Sequence, residues 1–359
     1  MHYGLIHVGL PTMIDLSKDK LPNITNGNTP KNYELCQEGD IAFADASEDT
    51  NEVAKAVEFY KLNGKAVICG LHTIHGRDNH QKTVVGYKGY AFSSMAFHHQ
   101  IRRIAQGTKI YSINSKNFSE CYIGIPSKEE QKKIATLLRL IDERIVTQNK
   151  IIDKLQSLIK GINQRVFMNN GINYKLGEIS EIRSGYSGNQ LLSKKGLKVS
   201  RIETISGHKV NLERVGYVAP FESSENYKLQ VGDILFSNIN SVEYIGNTAF
   251  IDKDYDLYHG MNLLRLTPNN MVVIPFYLYL LLNTNRMLNR FKTVCNKAVS
   301  QASINQTELG KTVVQIPDIN AQKQICELYQ ALYEKLESEK YANSLFQKQK
   351  QYLLRQLFI

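Results

Sequence analysis

Two histidine pairs, a Gly-Lys-Thr step and a Pro-Asp step are the places where this sequence carries residue types able to do chemistry. His72 and His75 have two residues between them and His98 and His99 are adjacent, spacings at which imidazoles can share a metal ion. No third ligand follows either pair at ligand spacing, so polar surface histidines are the simpler expectation. Gly310-Lys311-Thr312 resembles the end of a phosphate-binding loop, yet Asn305 stands where that loop needs its first glycine. Pro317-Asp318 begins like a nuclease pattern, but the Glu-x-Lys that should follow occurs only as Glu130 and Lys132, far upstream. Cys36, Cys69, Cys121, Cys295 and Cys326 are odd in number and scattered, without a CxxC pair. That pattern argues against a disulfide framework or a zinc site and for a reducing compartment. With no methyltransferase Asn-Pro-Pro motif and no nucleophile elbow, the expectation is a chain without catalytic residues, metal or cofactor of its own.

Binding chemistry is better represented. The stretch SRIETISGHK places Arg201, Thr204, Ser206, His208 and Lys209 in one turn-prone segment, and FSNINS adds Ser237, Asn238 and Asn240. Asparagine and arginine form the paired hydrogen bonds that the major-groove edges of adenine and guanine offer. In the first half the slot answering FSNINS reads FADASED, which is acidic and should repel phosphates. There the basic candidates are Arg77, Lys82, Lys88, Arg102 and Arg103. Over the whole chain 44 Lys and Arg against 34 Asp and Glu give a net charge of +10. A surplus of that size favours polyanionic partners, with nucleic acid ahead of an anionic membrane surface. No apolar run reaches the roughly 18 residues of a membrane span. The opening MHYGLIHVGLPTMID lacks the basic segment of a secretory signal.

The elements that position these residues come as a repeat. YELCQEGDIAF at 33–43 is answered by YKLQVGDILF at 227–236, and YSINSKNFSECYIGIPSKEEQKKI at 111–134 by ASINQTELGKTVVQIPDINAQKQI at 302–325. From there a constant offset of 191 relates Pro126 to Pro317, Gln131 to Gln322 and Ile134 to Ile325, and persists to the last residues. A fixed offset over so long a stretch implies duplication. Each half ends in a long proline-free helix. In the first, Ile134, Leu138, Ile141, Ile145, Gln148, Ile152, Leu155, Ile159, Ile162 and Val166 step alternately by four and three, which is a coiled-coil seam. The second carries Ile325, Tyr329, Leu332, Leu336, Glu339, Asn343, Phe346, Lys350, Leu353 and Leu357 at the same steps. The simplest partner for each helix is the other, with Gln148, Glu339 and Asn343 as the polar positions that fix register. Ahead of each helix, short β-branched runs and a Gly-Asp turn predict a mixed α+β globule, with single helices at 89–105 and 275–291.

With these residues in hand, the chain resembles the DNA-specificity subunits of type I restriction–modification systems. The resemblance rests on IPSKEEQKKIATLL (125–138), IPDINAQKQI (316–325), SRIETIS, YKLQVGDILFSNIN, HGMNLLRL (259–266) and SQASINQTEL (300–309), together with GDIAFADASED, GLHT and GTKIYSIN in the first half. It implies an α+β fold of two tandem target-recognition domains, each followed by a long helix, the helices pairing as an antiparallel coiled coil. The implied boundaries are 1–125, a central helix at 126–170, 171–316, and a distal helix at 317–359. Against this pattern the first domain is short by about 25 residues at its start, because HYGLIHVG at residue 2 matches SRIETIS rather than the NYKLGEISEIRSGYSG that precedes it. The resemblance further implies a cytoplasmic protein that reads bipartite double-stranded DNA and docks two methyltransferase subunits and the restriction–translocation subunits. S-adenosylmethionine, ATP and Mg2+ would then bind only those partners. The alternative is a coiled-coil assembly protein whose globules bind other proteins.

Overall fold

Two Gly-Asp steps start the central strands. Gly39 and Gly232 have φ of +90° and +98°, a conformation that glycine adopts without the strain a side chain would bring. The next residue closes each turn, Asp40 accepting from the Gln37 amide and Asp233 from the Gln230 amide, both at 2.8 Å. The computed structural model describes residues 1–24, 32–167, 171–297 and 301–358. It separates into two units, Met1–Ile152 with Ser338–Ile359, and Asp153–Glu337.

In the first unit α1 (Tyr3–His7) and β1 (Met13–Asp15) precede β2 (Ile41–Ala44), β3 (Ala46–Ser47), β4 (Ala56–Lys61) and β5 (Thr73–Gly76). Then come α2 (Lys88–Ala91), α3 (Met95–Ile104), β6 (Tyr111–Ser112), α4 (Ser115–Phe118) and the long α5 (Lys128–Val166). The sheet order is β1-β4-β2-β5, with β1 parallel to β4 and the other pairs antiparallel. Strand β2 is buried along its whole length because both faces are covered. Ala42 and Ala44 pack with Ile6, Ile14 and Phe59, while Ile41 and Phe43 pack with Phe97, Ile101 and Ile113.

The second unit contains β7 (Ile172–Lys175), α6 (Leu176–Ile179), β8 (Ser180–Ser184), β9 (Leu197–Val199), β10 (Gly216–Val218), β11 (Ile234–Ser237), β12 (Ile239–Asn240), β13 (Thr248–Phe250) and β14 (Leu263–Pro268). These are followed by α7 (Pro275–Leu282), α8 (Asn285–Val294), β15 (Asn296–Lys297), β16 (Ala302–Ser303), α9 (Gln306–Gly310), β17 (Val313–Ile316) and α10 (Ile319–Gln356). Its sheet, β13-β11-β14-β8, is antiparallel throughout. Strand β8 lies beside β14, whereas the first unit adds β1 to its opposite edge instead. The stretches expected as single helices at 89–105 and 275–291 are each two, α2 with α3 and α7 with α8. Ser94 and Thr284 cause the break, because their hydroxyls cap the next helix by accepting from the Phe97 and Met287 amides at 3.2 and 3.3 Å. Among the described residues no helix is long and apolar enough to cross a membrane.

Helices α5 and α10 each contribute to both units and pack antiparallel. Asp318 caps α10 by accepting from the Asn320 and Ala321 amides at 2.9 and 3.0 Å, and Ser127 caps α5 through the Glu130 amide at 3.3 Å. Every seam position is buried or half-buried, from Ile134, Leu138, Ile141 and Ile145 through Ile152, Leu155 and Ile159 on α5 to Ile325, Leu332, Leu336, Phe346 and Leu353 on α10. In the first unit Asp142 meets Lys350 at 2.6 Å, Asn149 meets Asn343 at 3.0 Å, and Gln148 donates to the Glu339 carbonyl at 3.2 Å and to its carboxylate. In the second unit the Tyr329 hydroxyl donates to Asn163.

The globule of each unit is tied to its helix by one fully buried glutamine. Gln131 donates to the carbonyls of Pro126 (2.8 Å) and Lys82 (3.1 Å) and accepts from the Val84 amide (2.9 Å). Gln322 repeats the arrangement with Pro317 (2.9 Å), Val272 (3.1 Å) and the Ile274 amide (2.8 Å). Truncation would leave backbone groups buried without partners, so Gln131→Ala and Gln322→Ala should each lower the unfolding free energy by about 2–3 kcal/mol. Exposed Gln156→Ala should change it by less than about 0.5 kcal/mol. Denaturant unfolding of the three variants measures the difference.

Candidate nucleic-acid interface

In the second unit the structure brings SRIETIS and FSNINS together on one cleft. Residues 202–205 form a turn of 3-10 helix pinned by Thr204, which is fully buried. The Thr204 hydroxyl accepts from the Arg201 amide at 2.9 Å and donates to the Arg214 carbonyl at 2.6 Å. This draws Arg214 alongside Ser206. From the other side β11 ends at Ser237, whose hydroxyl accepts from Asn240 Nδ2 at 3.1 Å. The cleft, about 160 Å³, is lined by Glu203, Ser206, Arg214, Ser237, Asn240, Tyr244 and Asn247 with two isoleucines behind. It offers amide and guanidinium groups beside an exposed aromatic ring.

Other predicted residues lie elsewhere. Arg201 is exposed, with Nε 3.8 Å from Glu203, while Lys209 reaches Glu337 on α10 at 3.1 Å. His208 sits at φ +57° and its carbonyl accepts from the Tyr279 hydroxyl at 3.0 Å. Asn238 has a buried Oδ1 without a hydrogen-bond partner among the described residues. Thr204 and Ser237 are themselves buried, so they shape the cleft floor rather than its rim. Sequence reasoning missed Arg214, Tyr244 and Asn247, which lie several residues from the segments that drew attention. It also passed over a charge signal that was available: residues 183–214 hold Arg183, Lys194, Lys195, Lys198, Arg201, Lys209 and Arg214 against only Glu203 and Glu213. Lys194, Lys195 and Arg214 are exposed.

The first unit is built differently at the equivalent place. There α1 packs on β2, and Tyr3 makes edge contacts with the rings of His2, His7 and His72. His7 Nε2 lies 2.9 Å from the Ala46 carbonyl, and His72 pairs with Asp45 at 3.4 Å. The acidic loop is therefore faced by histidines. Arg102 leans on the same loop through Asn51 at 2.8 Å, and its neighbour His99 is exposed. Arg103 borders a groove with Tyr87, Phe97, Tyr122 and Phe358, and Lys82 is exposed. Two expected DNA-binding residues are held by the protein instead. Arg77 donates to Asp40 through Nε (3.1 Å) and Nη2 (2.6 Å), and also to Glu34. Lys88 is buried, donating to Thr83 at 2.7 Å with Glu58 at 4.0 Å. Both cations face interior carboxylates, a role that neither spacing nor composition discloses.

The pattern of the type I restriction modification DNA specificity domain matches residues 20–157 and again 171–344. This chain belongs to that family. It is 43% identical over 150 residues to the putative MjaX type I restriction enzyme specificity subunit of Methanocaldococcus jannaschii, covering 41% of this chain and 35% of that protein. To the EcoKI specificity subunit of Escherichia coli K12 it is 25% identical over 278 residues, covering 69% of this chain and 58% of the relative. These matches span about a third and just under three-fifths of the two relatives. Among solved structures, the S subunit of a type I restriction–modification system from M. genitalium matches with a TM-score of 0.56 at 17% identity, over 94% of this chain and 87% of that one. A chain from a study of type I complex assembly and conformational transition matches with a TM-score of 0.61 at 17% identity, over 95% and 89%. The duplicated α+β fold with paired helices is thus shared with specificity subunits.

Glu58 is fully buried and faces Lys88. Its carboxylate accepts from the Gly86 and Gly89 amides, both at 2.7 Å, yet burial dominates and pushes its pKa up to about 7 from 4.5. The folded protein therefore holds this proton over a range in which the unfolded chain has released it. Its stabilising contribution is complete below about pH 4.5 and is lost as pH rises through about 7, on the order of 3 kcal/mol. Thermal midpoints at pH 5 and pH 8 should differ less in Glu58→Gln than in the unaltered protein.

Proposed function

We propose that this chain is the sequence-reading subunit of a type I restriction–modification assembly, with each unit reading one half of a bipartite double-stranded DNA target. The observation that carries this is the convergence of Ser206, Arg214, Asn240, Tyr244 and Asn247 on one cleft beside the basic segment 183–214. Asparagine and arginine side chains match adenine and guanine edges, while the surrounding lysines match phosphates. In the first unit His2, Tyr3, His7 and His72 hold the equivalent position, with Lys82 and Arg103 as further cations. Family membership supports the assignment of methyl transfer, translocation and cleavage to partner subunits, together with S-adenosylmethionine, ATP and Mg2+. Two methyltransferase subunits would dock on the paired helices, with the restriction subunits joining them in the cytoplasm.

The direct test is fluorescence anisotropy with target and scrambled duplexes across a salt series, using the chain with its methyltransferase partner. Affinity should fall steeply with salt and favour the target by at least about a thousandfold. Lys194→Ala/Lys195→Ala/Lys198→Ala should weaken all duplexes alike and flatten the salt slope by about one for each phosphate no longer neutralised. Asn240→Ala should instead cost about 1–3 kcal/mol on the target alone. Equal binding of target and scrambled duplexes would overturn the reading and favour a protein-binding assembly role.

The helices would act as the ruler between half-sites. Inserting one heptad into each keeps the seam and adds about 10 Å, at roughly 1.5 Å per residue. Mapping of methylated adenines should then show unchanged half-sites separated by about three more base pairs.

A further inference from the structure

The first unit holds a cluster that DNA reading does not use. Cys36, Asp40 and His75 bring a thiol sulfur, a carboxylate oxygen and a ring nitrogen within 4.8 Å of one another. Cys69 Sγ lies 3.7 Å from Cys36 Sγ. Disulfide sulfurs are about 2.05 Å apart, so this pair is not bonded. Two thiolates on a tetrahedral zinc, with bonds of about 2.3 Å, must lie about 3.75 Å apart. His75 is already oriented: Nε2 lies 2.8 Å from the Asp40 Oδ2 acceptor, so Nδ1 is the ring nitrogen that would turn to a metal. Asp40 is itself saturated by the Gln37 amide and the Arg77 guanidinium, so it serves as the outer carboxylate rather than a ligand. On the Nδ1 side Glu34 Oε2 is 3.7 Å away.

We infer that Cys36, Cys69 and His75 Nδ1 form a zinc site completed by the Glu34 carboxylate, with Asp40 holding the histidine. Two soft sulfurs, an imidazole and one oxygen are the tetrahedral donor set that favours zinc over magnesium or calcium. The second unit supplies an internal comparison. Cys36 donates its amide to the Val67 carbonyl at 2.8 Å, and Leu229 makes the same bond to Leu257 at 2.9 Å. A buried leucine thus fills this place in the duplicate, and Arg265 stands where His75 does. The backbone frame needs no thiol there, so the ligand set is an addition confined to the first unit. It ties the approach to β2 to the segment entering β5.

The test uses the full-length chain, saturated with zinc, desalted and analysed for metal. Roughly one zinc per chain is expected. Replacing zinc with cobalt should give the visible bands of tetrahedral coordination and a near-ultraviolet thiolate charge-transfer band. Cys36→Ser and Cys69→Ser should each weaken that band and the double variant should lose it, while Cys121→Ser should keep it. Cobalt titration of the unaltered chain decides the question even if the variants fold poorly. A purely octahedral cobalt spectrum, zinc retained in Cys36→Ser/Cys69→Ser, or a Cys36–Cys69 disulfide in place of metal would each overturn the site.

Discussion

Each unit depends on a buried glutamine five residues after a proline. Glutamine suits this place because a single side chain offers both a donor and an acceptor. Gln131 and Gln322 each satisfy the carbonyl left open at the helix entrance, a loop carbonyl, and a loop amide two residues further on. Glutamate could not donate, and lysine could not accept. An apolar residue would leave three backbone groups buried without partners. The segment that precedes α2 or α7 is thereby locked to the first turn of α5 or α10, and the sheet in front of it inherits a fixed position relative to that helix. Duplication kept this bond set atom for atom.

The seam follows a related logic. In an antiparallel pair of duplicated helices, equivalent residues face each other only at the midpoint. Gln148 and Glu339, separated by 191 residues, are such equivalents and they touch. Asn149 with Asn343 and Asp142 with Lys350 lie to one side of that crossing. Polar contacts at the centre contribute little stability against leucine pairs, but any sliding of one helix would bury them against apolar side chains. Register is set where the repeat meets itself.

Much of this was legible because it is local. The four-three stepping and the Gly-Asp turns depend on neighbours within a few positions, and each appears where spacing placed it. The helix breaks at Ser94 and Thr284 were equally local but were outweighed by the apolar runs around them. Long-range pairing was out of reach. Arg77 and Lys88 read as surface cations, yet Asp40 and Glu58, many residues away, draw both inward. Arg214 joins the candidate cleft only because a buried threonine hydroxyl reaches its carbonyl. The cluster of Cys36, Asp40 and His75 is dispersed in sequence and assembles only when β5 pairs with β2.

The two units differ in a consistent direction. Positions that hold the sheet to the helix are the same in both: the Gly-Asp turn, the glutamine clamp, and Asn114 and Asn305, which cap short helices through amides at 2.7 and 2.8 Å. Positions at the ends of the central strands are not. The second unit presents Asn240, Tyr244 and Arg214, while the first presents histidines around Tyr3 above an acidic loop. A frame fixed by buried polar bonds tolerates such change because the exposed loops make few of the contacts on which the fold rests. Two units can then diverge after duplication without loosening either from its helix.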